Sequence, residues 1–266
     1  MVYRKLKHTL VQLERLKTLD PNNIEINQSD WQDILGHVAK YPALLFFDPN
    51  VRRIVAQSRA KTFQRSEYWS GGRSRIIEKA IDYNTMQMNR FLESHVVRLI
   101  RPLSILDPIY DRANQLAVLS IGPRNENELF HLCAYGFDLA KIQAIDLVSN
   151  SPLVAAMDMH DLKFDDDRFD VVISGWTLPY STDPKRALSE KMRVLRPGGL
   201  LCIGLTRIPP DFEEASVLES QGATNYLSSQ QILNDFDRGI ERIEFQNDPF
   251  DQTSKGAILL IVRKPR

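Results

Sequence analysis

Val194-Leu195-Arg196-Pro197-Gly198-Gly199-Leu200-Leu201-Cys202-Ile203-Gly204 sets an arginine and a proline-glycine-glycine turn ahead of an apolar run. An apolar run bounded by turn residues is what a strand buried on both faces of a parallel sheet requires. Outward from it the pattern repeats. Upstream lies Phe169-Asp170-Val171-Val172-Ile173-Ser174-Gly175-Trp176, and before that Ala117-Val118-Leu119-Ser120-Ile121, which runs into a tight turn at Gly122. Between them come Ile145-Asp146-Leu147, ending a strand begun near Lys141, and a further element at Met157-Asp158-Met159. Helical stretches from Glu126 to Tyr135 and from Asp183 to Leu195 alternate with these runs, the second opened by an Asp183-Pro184 cap-and-proline pair. Strand, turn, helix, strand is the order of a doubly wound α/β sheet covered by helices on both faces. After the fifth strand, Ser228 to Leu233 reads as a capped helix, and Ile240–Phe245 and Ala257–Val262 as strands with no helix between them, an antiparallel hairpin at the sheet edge.

Residues 1–110 read differently, as a helical N-terminal region. Leu6, Leu10, Leu13 and Leu16 recur at helical spacing until Pro21. A short helix is expected over Trp31–Lys40, another from Asp48-Pro49 toward Tyr68, and a long one from Ser74 to Ile100, ending before Pro102. The change of pattern near Pro108 to Arg112 places a boundary there, with 111–266 as the sheet domain.

Composition narrows the classes. With 43% hydrophobic and 26% charged residues the chain resembles soluble globular proteins rather than disordered or membrane ones. The 34 basic and 34 acidic residues cancel, so no global field favours nucleic acid. Cys133 and Cys202 each sit in an apolar stretch and read as reduced core thiols; no spacing reads as a metal site. Charges at Glu14, Arg15 and Lys17 interrupt any N-terminal apolar core, and no run approaches the roughly 18 apolar residues of a membrane span, so a cytoplasmic location is expected.

The strand beginning Phe169-Asp170-Val171-Val172 and the strand after Pro197-Gly198-Gly199 resemble the class I S-adenosylmethionine-dependent methyltransferases, over roughly residues 115–266. That resemblance implies a Rossmann-like methyltransferase fold, a seven-stranded, mainly parallel sheet with an antiparallel last strand, and S-adenosylmethionine as cofactor. Ligands of such sheets lie beyond the carboxyl ends of the strands. The cofactor-binding positions carried over are Ser120, Gly122, Pro123, Arg124, Asp146, Leu147, Asp158, Met159, His160 and Gly175. Asp146 stands 24 residues after Gly122, where an acceptor-only carboxylate suits a ribose diol. Asp158 and Met159 take the place of the family's adenine contacts, and His160 beside them reads as either a structural or a catalytic histidine.

Two departures from the family stand out. The family has an acid two residues before its first glycine and two more glycines at alternate positions after it; here those places hold Ser120, Arg124 and Glu126, and only Gly122 matches. Arg124 and Glu126 must therefore point away, rebuild the pocket or block it. Only 11 residues separate Asp146 from Asp158, too few for a helix of three turns, so Val148 to Leu153 reads as a turn and the N-terminal region as the cover of the adenosine side.

On the acceptor side, Trp176 and Tyr180 follow the fourth strand and serve either substrate or packing. The family's amino-methylating subset carries Asn-Pro-Pro-Tyr here; Thr177-Leu178-Pro179-Tyr180 does not match, which argues against nucleobase amino groups. Trp69, with Ser70-Gly71-Gly72 and the flanking Arg73 and Arg75, is either an acceptor-side hinge with a stacking face and anion donors or a plain helix–helix turn. The excess of arginines between Pro49 and Lys79 is either a solvated face or a grip on an anionic small molecule or saccharide. No catalytic residue is singled out. The expectation is methyl transfer to a small-molecule or saccharide acceptor. A catalytically inactive binding or assembly module is the alternative, and a nicotinamide-dependent oxidoreductase is disfavoured by the missing Gly-x-Gly-x-x-Gly turn.

Overall fold

The computed structural model describes residues 67–68, 70–71, 75–87, 95–149, 151, 153–237 and 239–266. The helices expected before residue 67 lie outside them, as do Trp69 and Arg73. In chain order the elements are β1 (Glu67–Tyr68), α1 (Arg75–Gln87), α2 (Val97–Ser104), α3 (Ile109–Arg112), β2 (Val118–Ile121), α4 (Asn127–Ala134), β3 (Ile142–Asp146), β4 (Val148–Ser149), β5 (Ala155–Ala156), β6 (Phe169–Gly175), α5 (Pro184–Val194), β7 (Leu195–Arg207), α6 (Glu213–Ser220), α7 (Ser229–Asn234), β8 (Arg242–Asn247) and β9 (Gly256–Arg263).

Seven strands form one sheet in the order β5-β3-β2-β6-β7-β9-β8. The first five in that row are parallel, with Val118 beside Ile142 on one flank and Val171 on the other. Strand β9 runs antiparallel to both β7 and β8, so the last strand slots inside the expected edge hairpin. The apolar runs are continuous because both faces are covered. On one face Leu99, Ile100, Leu103, Leu129 and Leu132 pack over Val171, Ile173, Leu200 and Cys202. On the other, Leu188, Met192 and Ile232 pack over Leu119, Val172, Ile203 and Leu205. Cys133 and Cys202 are both free thiols.

Several local readings shift. The single helix expected over Ser74–Ile100 is two, α1 and α2; His95 and Val96 form the turn that enters α2, with the Leu99 N–H donating to the Val96 carbonyl at 2.7 Å. Pro102 lies inside α2 rather than after it. Burial of Leu99, Ile100 and Leu103 against the sheet outweighs the one backbone bond that a proline forfeits. The third strand is Ala155–Ala156, so Met157, Asp158 and Met159 lie just beyond it, where the Asp158 side chain accepts from the His160 N–H at 2.9 Å in an Asx turn. Strand β7 runs through Pro197-Gly198-Gly199 instead of starting after it. Gly199 is required there, since a Cβ would lie 2.8 Å from Leu195 Cδ1 and 2.9 Å from two carbonyl oxygens. Asp183 caps α5 as expected, accepting from the Arg186 N–H at 3.0 Å.

Among the described residues, the segment after β3 contains no helix. Val148 and Ser149 instead pair antiparallel with Tyr68 and Glu67, while Ile77 and Ile81 of α1 bury against Val148. Chain from before residue 110 thus lies directly beside the C-terminal end of β3. Among the described residues no helix is long and apolar enough to cross a membrane.

Candidate functional site

The carboxyl ends of β2, β3 and β6 converge around four groups: the turn at Gly122, the carboxylates of Asp146 and Glu128, and the Gly175-Trp176 step. Gly122 leaves β2 at φ +76, and its N–H donates to the Ile145 carbonyl at 2.8 Å. A Cβ on it would stand 2.0 Å from Thr177 Cγ2, so the glycine lets the end of β2 close on the end of β6. Arg124, in the place of the family's second glycine, adopts φ +64. Its N–H donates to Asp146 Oδ2 at 3.0 Å, and its side chain turns toward α1, with Nε 3.3 Å from Asn84 Oδ1 and the guanidinium 5.6 Å from the Tyr83 ring centroid. The Arg124 side chain therefore points away from the Gly122 turn and packs on α1. Glu126, in the third glycine's place, is fully buried at the start of α4, and Pro123 between them is buried too.

Asp146 is 5% exposed at the end of β3. Its Oδ1 accepts from the Leu147 N–H at 2.7 Å and from Asn84 Nδ2 at 3.1 Å. Burial pushes the carboxyl up to about 6, against the pull of the Arg124 and Leu147 N–H groups. Leu147 is half-buried and packs with α1.

Ser120, where the family has its acid, is fully buried and donates to Glu128 Oε1 at 2.7 Å. Glu128 comes from the first turn of α4 and is 7% exposed, so a carboxylate returns to this position from a different element. Burial and the neighbouring Asp146 carboxylate push Glu128 up to about 7, while Ser120 and Arg124 pull it down. The signal in the sequence was an acid eight residues after Ser120; only the geometry shows that the two meet.

At the β5 end, His160 is clamped between two groups. Its Nδ1 lies 2.6 Å from Asp158 Oδ1 and its Nε2 2.6 Å from Ser181 Oγ, which also accepts from the Asp183 N–H at 3.1 Å. Burial raises the Asp158 carboxyl and the His160 hydrogen bonds lower it, with a net result below the usual range. This arrangement gives His160 an orienting role, with Asp158 Oδ1 occupied twice over. Met159 lies beside the fully buried Lys191, whose Nζ is 3.5 Å from Met159 Sδ and is lowered to about 7 by burial.

Past β6, Trp176 takes φ +58, rare for a bulky residue. Its N–H donates to the Gly204 carbonyl at 2.6 Å and its indole Nε1 to Thr206 Oγ1 at 2.8 Å. The Arg98 guanidinium lies 4.7 Å from its ring centroid, and the His95 ring 5.2 Å away. Tyr180 is half-buried against α1; burial and the nearby Tyr83 raise its hydroxyl. Arg75 is the first residue of α1. Sequence reasoning missed Asn84, Arg98, Glu128 and Ser181, because each reaches the site through tertiary contact.

The family model for a methyltransferase domain matches residues 126–203. A stretch of 53 residues is 43% identical to demethylmenaquinone methyltransferase of Clavibacter sepedonicus, covering 20% of this chain and 22% of that protein. The chain thus spans about a fifth of that curated relative's length. Among solved structures, the N-methyltransferase NodS of Bradyrhizobium japonicum WM9, in complex with S-adenosyl-L-homocysteine, gives a TM-score of 0.50 at 13% identity, over 73% of this chain and 100% of that one. A 1,6-didemethyltoxoflavin-N1-methyltransferase of Burkholderia thailandensis gives 0.49 at 14% identity, over 76% and 95%. The likeness to NodS is one of fold.

Proposed function

We propose that the chain transfers a methyl group from S-adenosylmethionine to a small-molecule or saccharide acceptor, a reading supported by the methyltransferase-domain match over residues 126–203 and by the fold. The observation that carries this reading is the Asp146 carboxylate, buried at the end of β3 beside the Gly122 turn, where sheets of this type take a ribose. The donor set fits the cofactor. Asp146, Glu128 and Asp158 are acceptor-only groups when ionised, and a ligand presenting hydroxyls, amino groups and positive charge complements them.

When bound, the sulfonium supplies an activated methyl group whose bond to sulfur breaks as the acceptor's bond to carbon forms. The protein's share is placement. Asp146 would hold the ribose hydroxyls, and Asp158, oriented by His160, which is itself braced on Ser181, would hold the adenine amino group with Met159 beside it. Elements preceding residue 110, starting with β1 and α1, cover the adenosine side and exclude water. Trp176 and Tyr180, past the end of β6, border the acceptor. An in-line transfer of this kind gains most of its rate from alignment, so it needs no strong general base.

Calorimetric titration with S-adenosylmethionine and S-adenosylhomocysteine tests the reading. Dissociation constants in the micromolar range are expected for this number of polar anchors, on the order of 8 kcal/mol. Absence of heat with either ligand up to millimolar concentration sinks it.

A further inference from the structure

The step Gly175-Trp176 separates two ionisable side chains of opposite sign. On one side is Glu128. Its Oε1 is satisfied by Ser120, whereas Oε2 points at Gly175, 3.9 Å from where a Cβ would stand. Among the described residues that oxygen has no hydrogen-bond donor, although the side chain is almost completely buried. On the other side is Arg98. Val96, two residues before it, touches the same Gly175 position at 3.4 Å, which brings the start of α2 to the end of β6. The guanidinium carbon lies 4.7 Å from the centroid of the Trp176 ring, and one nitrogen is 2.7 Å from His95 Nδ1. Burial lowers its affinity for its proton, and no carboxylate acts to raise it. Trp176, on which it rests, holds a left-handed backbone that the Gly204 and Thr206 hydrogen bonds maintain.

A buried carboxylate with one open oxygen and an exposed guanidinium stacked on Trp176 flank one glycine and do not pair with each other. Opposite charges held apart in this way complement a ligand that carries both signs a few ångströms apart, an α-amino-acid zwitterion. We infer that Glu128 and Arg98 form a clamp for the amino-acid tail of the cofactor, the ammonium going to Glu128 Oε2 and the carboxylate to Arg98. The inference rests on the cofactor reading above and adds to it two residues from α4 and α2, outside the glycine turn. It also accounts for the degenerate turn. The acid missing at Ser120 is restored through the Ser120–Glu128 hydrogen bond, and the carboxylate contact passes to Arg98.

The test compares two ligands on the full chain by calorimetry. S-adenosylhomocysteine carries the tail, and 5′-methylthioadenosine has the same nucleoside and sulfur without it. The wild type should prefer the first by at least about tenfold. Arg98→Gln and Glu128→Gln should each erase most of that preference by weakening S-adenosylhomocysteine while leaving methylthioadenosine within about twofold. Glutamine at 128 still accepts from Ser120, and Arg98 is exposed, so at least one variant keeps the fold, as melting temperature will check. Arg98→Lys should recover part of the loss, since it keeps charge without the planar fork. The clamp is overturned if the preference survives in both variants, or if both ligands weaken equally in a folded variant. It is also overturned if free glycine binds beside saturating S-adenosylhomocysteine and is lost in the variants, which would assign the pair to an amino-acid acceptor. If the wild type binds methylthioadenosine but shows no preference, only the clamp fails. If it binds neither nucleoside, the cofactor reading fails and takes the clamp with it.

Discussion

Gly122→Ala places a methyl group 2.0 Å from Thr177 Cγ2, on a backbone at φ +76. Two costs arise at once. An L-residue in the left-handed region gives up about 1–2 kcal/mol. Thr177 must also move, and its Oγ1 is tied to Ser174 Oγ at 2.6 Å. Turning the threonine away breaks that bond, about 1 kcal/mol, while leaving it in place overpacks the junction of β2 and β6 by about 1–3 kcal/mol. A loss of about 2–5 kcal/mol of unfolding free energy follows, together with weakened S-adenosylhomocysteine binding. The second substitution that isolates the mechanism is Thr177→Ser, which removes Cγ2 and keeps the hydroxyl bonded to Ser174. In the double variant the clash disappears and only the backbone strain remains, so roughly half or more of the loss should return. Urea unfolding of the four proteins in the cycle measures this. The reasoning is refuted if Gly122→Ala lies within about 0.5 kcal/mol of wild type, or if the double variant is no more stable than Gly122→Ala.

Asp146→Ala should weaken S-adenosylhomocysteine about ten- to hundredfold, because ribose hydroxyls lose an acceptor worth roughly 1–3 kcal/mol; calorimetric affinity within threefold of wild type argues against the ribose role. The Glu128 carboxyl, facing Asp146 and Arg124, is raised from 4.5 to about 7 in the fold, so the native state binds the extra proton and stability present below pH 4.5 is lost as pH rises through 7. That loss amounts to about 3 kcal/mol; urea midpoints at pH 5 and 8 should show it, and Glu128→Gln should flatten the profile, leaving the smaller slope from Asp146. Lys191 behaves oppositely: lowered from 10.5 to about 7, it makes stability rise with pH across that window, and Lys191→Met should abolish the rise and be the more stable protein at pH 7 by about 1–3 kcal/mol, with an equal or lower melting temperature counting against it. A fragment starting near Arg112 lacks Leu99, Ile100 and Leu103, all 0% exposed, and should be insoluble and inactive; a soluble, ligand-binding fragment would show that α2 is dispensable.

How much of the site could be seen in the chain depends on the distance over which each contact acts. Gly122 and Asp146 were legible because each sits at the end of an apolar run, and strand ends are marked locally by turn residues, whereas Asp158 was placed on the third strand and instead forms a turn just beyond it. The fate of Arg124 was not. Its identity breaks the glycine pattern, but whether it blocks the pocket depends on Tyr83 and Asn84, about forty residues earlier in the chain. Glu128 is the sharper case. An acid in the first turn of a helix reads as a charge complementing the helix dipole, and nothing in the linear pattern says that it turns inward to Ser120 and titrates near neutrality.

The alternation of continuous apolar runs with capped helices determined a doubly wound sheet from the sequence alone, down to the proline cap of α5 and the last two strands, because periodicity and turn chemistry act within a few residues. Tertiary structure decided the rest. It inserted β9 between β7 and β8, split the helix expected over residues 74–100, carried α2 through Pro102, and seated α1 on Asp146 through Asn84, 62 residues away in sequence. It also set which carboxylates are buried together and hence how they titrate. Those outcomes follow from area buried and charge desolvated between distant segments, quantities that exist only once the chain has closed on itself.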